Sequence, residues 1–384
     1  MKVAILGAGP AGLYAGYLLK SRIGAHVEVD IFEQNPADAT WGFGVVFSAR
    51  ALEFLNKDDA ETHDYIFAHM ERWDDMLIKV QDTSIKIDGV SFSAIGRLEL
   101  LLLLQERARS VGIEPQFNRV IESVGELQGY DLIVAADGVN SLIRNTYEKK
   151  FGTKIELHPN RFIWYGTSKP FKTLTQTFKS NDEGCFTAHH YRYAKDMSTF
   201  LIETDEATFE RGNFAGMDSP LTKRYFEELF SSELDGHPIV ENNSHWRNFP
   251  KMTQETWSHE NMVLTGDALH TAHFSIGSGT RLAMEDVIEL VSCLSESPNS
   301  ISEALRLYEE RRRPIVDTIV TAANTSLDWY ATFGARMNAA PYDFVYSYIQ
   351  RSGRISLERL REMSPGFMAE YDAFKAQGSS KEAM

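Results

Sequence analysis

Residues 2–12 read KVAILGAGPAG, and this stretch decides the fold. KVAIL is a short apolar run typical of a buried parallel strand, and the turn GAGPAG follows it before an apolar helical segment. In such a turn Gly7 allows the tight bend, Gly9 lets the backbone approach a pyrophosphate, and Gly12 lets the helix pack on the strand. The helix N-terminus then offers N–H groups and a partial positive charge to phosphate.

A second predicted strand, HVEVDIFE at residues 26–33, completes a β-α-β unit and ends on Glu33. Glu33 lies 21 residues after Gly12, close to the roughly 20 residues expected between the glycine turn and the acid that binds a ribose. A carboxylate at this position bonds ribose hydroxyls and disfavours a 2′-phosphate. The unit therefore predicts a Rossmann-like domain that binds FAD or NAD rather than NADP.

Two later segments repeat the pattern of a buried strand followed by a turn. They are DLIVAADG at residues 131–138 and NMVLTGDA at 261–268, and they place Asp137 and Asp267 just beyond the strands. The first continues as DGVNSLIR, for which an Asx turn followed by a helix cap is an alternative interpretation that needs no ligand. The carboxylate of Asp267 is suited to bond a ribityl hydroxyl.

The segment that begins at this second turn reads GDALHTAHFSIGSGTRLAMED and contains two histidines and two glycines. Gly277 and Gly279 would present backbone N–H groups to a pyrimidine ring or to phosphate. His270 and His273 form an H-x-x-H pair, but the nearest further ligand is Asp267. We therefore expect no metal site here.

Composition and charge exclude several other classes of protein. A hydrophobic content of 43% and a charged content of 24% are ordinary for a globular chain. The net charge of −15 argues against a nucleic-acid partner. The longest apolar runs are far shorter than the roughly 20 residues that cross a bilayer, and no signal peptide is apparent. With only two cysteines, the chain is expected in the cytoplasm.

The order of these patterns predicts an α/β fold in which a mainly antiparallel β-sheet substrate domain is inserted into the Rossmann-like domain, with helices at the C-terminus. Aromatic-rich segments such as FIWYGTS, CFTAHHYRY and STFLIET resemble strands of that second sheet. The predicted ranges are 1–75, 96–157 and 255–330 for the cofactor domain, 76–95 and 158–254 for the substrate domain, and 331–384 for the C-terminal helical segment.

Together, GAGPAG, DGVNSLIR and the GD segment resemble the class A flavoprotein aromatic monooxygenases, which carry these motifs in the same order. Within that class, four segments resemble enzymes that hydroxylate aryl-CoA thioesters, the salicylyl-CoA 5-hydroxylases and the monooxygenase part of 2-aminobenzoyl-CoA monooxygenase/reductase. These segments are WGFGVVFS at residues 41–48, the GD segment at 266–286, DWYATF at 328–333 and YSYIQRSGR at 346–354. The resemblance implies bound FAD, NADH or NADPH as reductant, and O2, with oxygen transfer from a flavin C4a-hydroperoxide to an aromatic ring. It also implies a monomer or homodimer without integral membrane segments.

The resemblance further implies roles for individual residues. Gly7, Gly9 and Gly12 would hold the FAD pyrophosphate and Glu33 the adenosine ribose. Arg97, which precedes the long helical run LELLLLLQERARS, would reach the flavin side of the cofactor. Asp137 and Asp267 would bind FAD, and the latter would hold the ribityl chain. Gly277 and Gly279 would lie near the isoalloxazine ring.

Catalysis would require a dry enclosure and a group that handles the proton of a phenol or aniline ring. His273, next to the expected flavin loop, is our candidate for that role or for orienting the substrate, whereas we expect a scaffold role for His270. The expected source of the enclosing wall is aromatic and comprises Phe162, Trp164, Tyr165, His189, His190 and Tyr191.

Two other functions stay open at this point. The chain could hydroxylate a free aromatic or indolic natural-product intermediate instead of an aryl-CoA ester. It could also be a flavin-fold binding protein without redox activity.

Overall fold

The structure is a computed structural model that describes residues 1–382. Its strands are, in chain order, β1 (Lys2–Leu6), β2 (Glu28–Phe32), β3 (Gly44–Ser48), β4 (Glu71–Trp73), β5 (Met76–Val80), β6 (Thr83–Ile87), β7 (Phe92–Gly96), β8 (Leu132–Ala135), β9 (Lys154–Thr167), β10 (Leu174–Ser180), β11 (Cys185–Ala194), β12 (Met197–Thr204), β13 (Ile239–Val240), β14 (Arg247–Thr253), β15 (Ser258–His259) and β16 (Met262–Leu264).

Helices connect these strands and form the C-terminal part of the chain. The α-helices are α1 (Pro10–Leu18), α2 (Glu53–Asp58), α3 (Ala60–Phe67), α4 (Arg97–Ser110), α5 (Leu142–Thr146), α6 (Glu148–Phe151), α7 (Glu206–Arg211), α8 (Ser219–Leu229), α9 (Ser231–Leu234), α10 (Gly279–Glu296), α11 (Ile301–Thr332), α12 (Pro341–Gln350), α13 (Leu357–Met363) and α14 (Pro365–Glu382).

The first sheet has the strand order β15-β16-β8-β1-β2, and its inner strands are parallel. Strand β1 lies between β8 and β2 and is fully buried from Val3 to Ile5, as expected for an apolar strand in a parallel sheet. The carboxyl ends of parallel strands lie at one edge of a sheet. The turns after β1, β8 and β16 therefore meet there, which is where ligands bind in this class of fold.

The second sheet has the order β13-β9-β12-β11-β10-β5-β6, with β14 also paired to β9. Its pairings are antiparallel except for the parallel pair of β10 and β5. Because side chains alternate along strands, the row formed by His189, Leu201 and Trp164 lies on one face. Helices α8 and α9 pack on the opposite face, against a core that contains Tyr165 and Phe200.

The large sheet and the C-terminal helices share an apolar core. It joins residues of β5, β6 and β10 to α11, α12 and α14, with Phe178 and Tyr330 among its fully buried members. A third, three-stranded sheet has the order β3-β7-β4 and is antiparallel. Within residues 1–382, no helix is both long enough and apolar enough to pass through a bilayer.

The predicted α/β class is confirmed, with a Rossmann-like parallel sheet, a second mainly antiparallel sheet and C-terminal helices. The division of the chain into domain ranges stays a prediction. Residues 76–87 join the large sheet as β5 and β6, whereas β7 pairs with β3 and β4. Residues 383 and 384 of the predicted C-terminal segment lie outside the described residues.

Candidate functional site

The glycine turn lies between β1 and α1, and two of its glycines are sterically required. Gly7 has φ +95°, and a Cβ there would lie 2.4 Å from the carbonyl oxygen of Ala136. A Cβ on Gly12 would lie 1.9 Å from the carbonyl oxygen of Gly7, so α1 packs directly on the turn. At Gly9 a Cβ would meet nothing within 4 Å. Gly9 caps α1 without any side-chain hydrogen bond, which leaves the helix N-terminus open to an anion.

Glu33 follows β2 and lies against this turn. Its Oε2 accepts a hydrogen bond from the backbone N–H of Ala8 (2.9 Å), and its Oε1 accepts two from Asn35. A carboxylate has about four acceptor positions, so Glu33 retains capacity for a ribose hydroxyl. The glutamate shares a cleft, called the cofactor cleft below, with several other residues, among them Gly9, Pro10, Val45, Arg97, Leu101 and Thr280.

A second helix N-terminus opens into the cofactor cleft. Helix α10 begins at Gly279 with no side-chain cap, and its next residue, Thr280, lines the cleft. Gly277 has φ +60°, and a Cβ there would lie 3.1 Å from the carbonyl oxygen of Val46, so this loop packs closely on β3. At Gly279 a Cβ would meet nothing within 4 Å. Backbone N–H groups of α1 and α10 therefore border one cleft.

Arg97 starts α4 at the same cleft. Its guanidinium lies 5.4 Å from the ring centre of Trp164, which is a cation–π distance. Burial lowers the pKa of Arg97, and the charge of Asp267 opposes that effect. Asp267 is exposed at the surface, but many protein atoms surround its carboxylate. Desolvation by these atoms raises the pKa of Asp267, whereas the charges of His270 and Arg97 lower it. The charges of Arg97 and Asp267 are thus held near each other at the edge of the cleft.

The DGVNSLIR segment has a structural function of its own. Asp137 Oδ2 accepts from the N–H of Leu142 (2.7 Å), and Ser141 caps α5 by accepting from the N–H of Arg144. The buried guanidinium of Arg144 donates to the carbonyl oxygen of Ala268 (3.1 Å), which ties this segment to the one that follows β16. Burial raises the pKa of Asp137. The helix-cap interpretation is therefore correct, and Asp137 still follows β8 at the ligand-binding edge of the sheet.

These features fit FAD. A dinucleotide needs sites for its phosphates and for a ribose. The N-termini of α1 and α10, which have no side-chain caps, and the open space at Gly9 suit the phosphates. Glu33 can accept a hydrogen bond from a ribose hydroxyl, and Arg97 adds a cation nearby. A metal site is not indicated, because no group of three or more His, Cys, Asp or Glu side chains in residues 1–382 is placed to bind one. His270 is buried beside Asp286 rather than facing His273.

His273 lies outside the cofactor cleft, under the large sheet. It is fully buried; its Nδ1 lies 2.9 Å from Ser275 Oγ, and its Nε2 lies 3.8 Å from Glu203 Oε2. Burial, with the nearby charges of His189 and His158, holds the pKa of His273 well below its ordinary value. The imidazole is therefore neutral at physiological pH. Its assignment as the catalytic residue stays a prediction.

The expected aromatic wall divides between the two faces of the large sheet. Phe162, Trp164, His189 and Tyr191 alternate on the face toward α11 and the cofactor cleft, as their pairings require. Tyr165 and His190 are on the opposite face, where His190 stacks on Phe200 at 5.3 Å. These two residues were wrongly included in the wall, because adjacent strand residues point to opposite sides.

Two residues near His273 were not singled out from the sequence. Glu203 is almost fully buried in β12, and Phe249 in β14 packs edge-on against His273 at 5.0 Å. A signal for Glu203 was available, because it is an acid in the otherwise apolar strand segment FLIET, and buried carboxylates are rare without a function or a partner. No comparable signal marks Phe249.

Comparisons with known proteins agree with this geometry. A family model described as FAD binding domain matches residues 1–323. The chain is 41% identical over 362 residues to salicyloyl-CoA 5-hydroxylase of Streptomyces sp, covering 92% of this chain and 70% of that protein. It is 32% identical over 362 residues to protodeoxyviolaceinate monooxygenase of Chromobacterium violaceum, covering 91% and 94%.

A solved structure shares the fold at low sequence identity. The tetrameric form of 2-methyl-3-hydroxypyridine-5-carboxylic acid oxygenase aligns with a TM-score of 0.72 at 18% identity, over 91% of this chain and 95% of that one. The family model spans most of the chain, and the two relatives each exceed 30% identity over nearly its whole length. The chain therefore belongs to the FAD-binding-domain family, as an FAD-dependent aromatic monooxygenase.

Proposed function

We propose that the chain hydroxylates the aromatic ring of an aryl-CoA thioester, with FAD as cofactor, NADH or NADPH as reductant and O2 as oxidant. The observation that carries the proposal is the 41% identity to salicyloyl-CoA 5-hydroxylase over 92% of the chain. The non-catalytic alternative is not favoured, because the matched relatives are monooxygenases. Hydroxylation of a free aromatic or indolic compound is less favoured, since protodeoxyviolaceinate monooxygenase is less similar, at 32% identity.

The bound flavin would supply the redox chemistry that activates O2, and the chain would supply position, dryness and a route for protons. We propose that Gly7, Gly9 and Gly12 hold the pyrophosphate and that Glu33 holds the adenosine ribose. The remaining cofactor contacts would come from the other edge of the cleft and its supporting turns, namely Arg97, Asp137, Asp267, Gly277 and Gly279.

Water must be excluded from the reacting ring. Three phenylalanines, each partly exposed, meet above the buried His273 and form what we call the phenylalanine cover: Phe162, Phe249 and Phe274. The rings of Phe162 and Phe274 are 5.1 Å apart, and those of Phe249 and Phe274 are 6.5 Å apart. We propose that an aromatic substrate packs against this cover, where side chains rather than water surround it.

A CoA ester also needs cations near the entrance of the site, because its phosphates are anionic. Six basic residues are candidates for this role: Lys149, Lys150, Lys169, Lys172, Lys179 and Arg192. Three of them already face a carboxylate: Lys169 with Asp235, Lys179 with Glu233, and Arg192 with Glu71, each at 2.6 Å. The other three are exposed and have no carboxylate partner among residues 1–382, so we propose Lys149, Lys150 and Lys172 for phosphate binding.

The test is stopped-flow reduction of the enzyme-bound flavin by NADH and by NADPH, in the presence of different ligands. Salicyloyl-CoA and 2-aminobenzoyl-CoA should accelerate reduction and yield hydroxylated thioesters, whereas salicylate and 2-aminobenzoate should not. Equal acceleration by thioester and free acid would remove the case for a CoA site. Purified protein that stays colourless when FAD is added would contradict the flavoenzyme function itself.

We propose the cytoplasm as the compartment, since Cys185 and Cys293 are both free thiols. A monomer or homodimer is the proposed assembly, which the elution volume of the holoenzyme at several concentrations would test.

A further inference from the structure

A group of buried polar side chains lies beneath the phenylalanine cover, which we call the Glu203 cluster and define as Glu203, His189 and His273. Glu203 and His189 come from neighbouring strands β12 and β11, and His273 comes from the loop before α10. Glu203 and His273 have about 1% or less of their surface exposed, and the His189 side chain has 12%. The cofactor contacts proposed above use none of these side chains.

One polar atom of each member has no hydrogen-bond partner. These atoms are Oε2 of Glu203 and Nε2 of both histidines. The Glu203 oxygen lies 3.8 Å from Nε2 of His273 and 4.0 Å from Nε2 of His189. Both separations exceed a hydrogen bond, but one polar atom placed beside the three could bond each of them at about 2.8 Å.

Unpaired buried polar atoms are costly in a protein interior, and here two lie within 4.0 Å of a third. Each unsatisfied group costs roughly 1–3 kcal/mol. The second carboxyl oxygen of Glu203 is satisfied, since it accepts from Nδ2 of Asn160 (2.8 Å), so the carboxyl group is held in a single orientation. The arrangement therefore suits a polar atom of a ligand.

The aromatic and polar surroundings of this position favour, as a ligand, an aromatic ring with a polar substituent. Phe274 lies 3.9 Å from the His273 ring and 5.4 Å from the His189 ring, measured between ring centres. The phenylalanine cover therefore separates the Glu203 cluster from solvent. A substrate ring that turns these phenylalanines aside would pack on their faces, and its substituent would reach the cluster.

The protonation state of Glu203 sets the pH range in which the cluster can accept a proton. Burial raises the pKa of Glu203 to about 8, and it lowers the pKa of His189 to about 3 and that of His273 well below its ordinary value. Near neutral pH the cluster is therefore a mostly protonated carboxyl beside two neutral imidazoles. The other titratable or charged groups that face these side chains are Tyr330, His158, Arg351 and Lys251.

We propose that the Glu203 cluster receives the ring hydroxyl or amino group of the substrate and that Glu203, in its ionised form, accepts the proton of a ring hydroxyl. The inference rests on the proposed function, and it deepens it by naming the residue that accepts the proton of the substrate. It also moves the acid–base role predicted for His273 to Glu203, with His273 and His189 as hydrogen-bonding neighbours.

The proton balance of the step is simple. For a phenol, the ring O–H bond breaks, the proton binds Oε2 of Glu203, and the electron pair stays on the ring oxygen. The electron-rich ring then accepts the oxygen atom that O2 and the reductant supply. When the C–H bond at the new C–O carbon breaks, its electron pair restores the aromatic ring and its proton passes through water to the oxygen that was added. The original ring oxygen then takes its proton back from Glu203.

Infrared spectroscopy of the FAD-bound enzyme tests the inference without turnover. At pH 6 the wild type should show a protonated-carboxyl C=O band that is lost as pH rises through about 8. E203Q should lack this band. E233Q is the matched control, because it removes another buried glutamate, which faces Lys79 and Lys179, and it should keep the band. Absence of any Glu203-dependent band above pH 6 overturns the inference, and the wild-type titration remains readable if E203Q does not fold.

Adding ligands in the infrared experiment distinguishes a failure of this inference from a failure of the proposed function. Phenol and salicyloyl-CoA should shift the Glu203 band, and toluene, which has no group that donates or accepts a hydrogen bond, should not. A shift with phenol but none with salicyloyl-CoA would support the cluster and contradict the aryl-CoA substrate. No shift with either phenolic compound would overturn the cluster's role.

Turnover provides a final measurement. Hydroxylation by the wild type should rise about tenfold per pH unit below the pKa of Glu203, because only the carboxylate accepts a proton. E203Q should abolish this dependence and lower product formation about 100-fold, within the range expected for an acid–base group. NADH oxidation that still responds to substrate would show that binding is intact. An unchanged pH profile in E203Q would contradict the proton transfer.

Discussion

Nε2 of His270 lies 2.7 Å from Oδ2 of Asp286, and that same oxygen accepts a hydrogen bond from the backbone N–H of Gly266 (3.1 Å). The other carboxylate oxygen accepts from Nε of Arg312 at 2.8 Å. Burial alone would raise the pKa of Asp286, yet the charges and hydrogen bonds of His270 and Arg312 hold it below its ordinary value. One buried aspartate in α10 thus fixes the turn that carries Asp267.

Asp286→Asn should therefore loosen this turn and weaken FAD binding. The substitution removes one of the two carboxylates that face Arg312, while Glu285 stays at 2.7 Å. The cost should therefore be roughly 1.5–3 kcal/mol, as for a lost hydrogen bond to a charged group. We expect a loss of that size in the free energy of unfolding by urea and a higher Kd for FAD. Asp317→Asn is the matched control, because Asp317 is exposed on α11. If the two variants behaved alike, Asp286 would have no anchoring role.

The glycines of the turn should respond differently to alanine. Gly12→Ala places a methyl group 1.9 Å from the carbonyl oxygen of Gly7, so α1 must move from β1 and stability should fall by at least 1–3 kcal/mol, about the cost of overpacking.

Gly9→Ala meets open space at φ −75°, which alanine adopts freely. We expect unchanged urea unfolding of its apoprotein, and a Kd for FAD raised at least about tenfold, since the methyl group occupies the proposed pyrophosphate position. Equal FAD affinity in Gly9→Ala and wild type would refute that position.

Arg97→Met should affect the cofactor more than the fold. The guanidinium contacts the ring of Trp164 and has no carboxylate hydrogen-bonded to it among the described residues, so methionine preserves most of the packing. Removing the positive charge should raise the pKa of Asp267 further and weaken FAD binding about tenfold. The control is Arg109→Met on the same helix, where Arg109 pairs with Glu114 at 3.1 Å. Flavin fluorescence titration of both variants measures the difference; equal affinities would place Arg97 outside the flavin site.

The stability of the protein should depend on pH through Glu203. Burial raises the pKa of this group from its ordinary 4.5 to about 8, so between these values the folded state holds a proton that the unfolded chain has released. The unfolding free energy should therefore fall as pH rises through that window, by on the order of 5 kcal/mol in total. E203Q cannot lose this proton and should become progressively more stable than the wild type. Urea unfolding at pH 5, 6.5 and 8 with excess FAD measures the unfolding free energies of the wild type and E203Q. If the difference between the two proteins did not change with pH, Glu203 would not titrate in this range.

Local patterns in the sequence were sufficient for the cofactor domain. The run KVAIL followed by GAGPAG allows few structures other than a buried strand, a tight turn and a helix, because Gly7 and Gly12 are needed where backbone atoms nearly touch. Asp137 and Asp267 follow apolar strands, and parallel strands bring such turns to one edge of a sheet. The sequence alone therefore determined the dinucleotide fold, and it singled out Gly9 and Glu33, which line the cofactor cleft.

The substrate side depended on contacts between distant segments. Glu203 and His273 are 70 positions apart in the sequence, and nothing local to either predicts that the two would be buried together at 3.8 Å. The register of β9, β11 and β12 decides that His189 faces this cluster while its neighbour His190 faces the opposite core. Only the tertiary structure could decide this, because a shift of one residue in strand pairing reverses which face each side chain occupies.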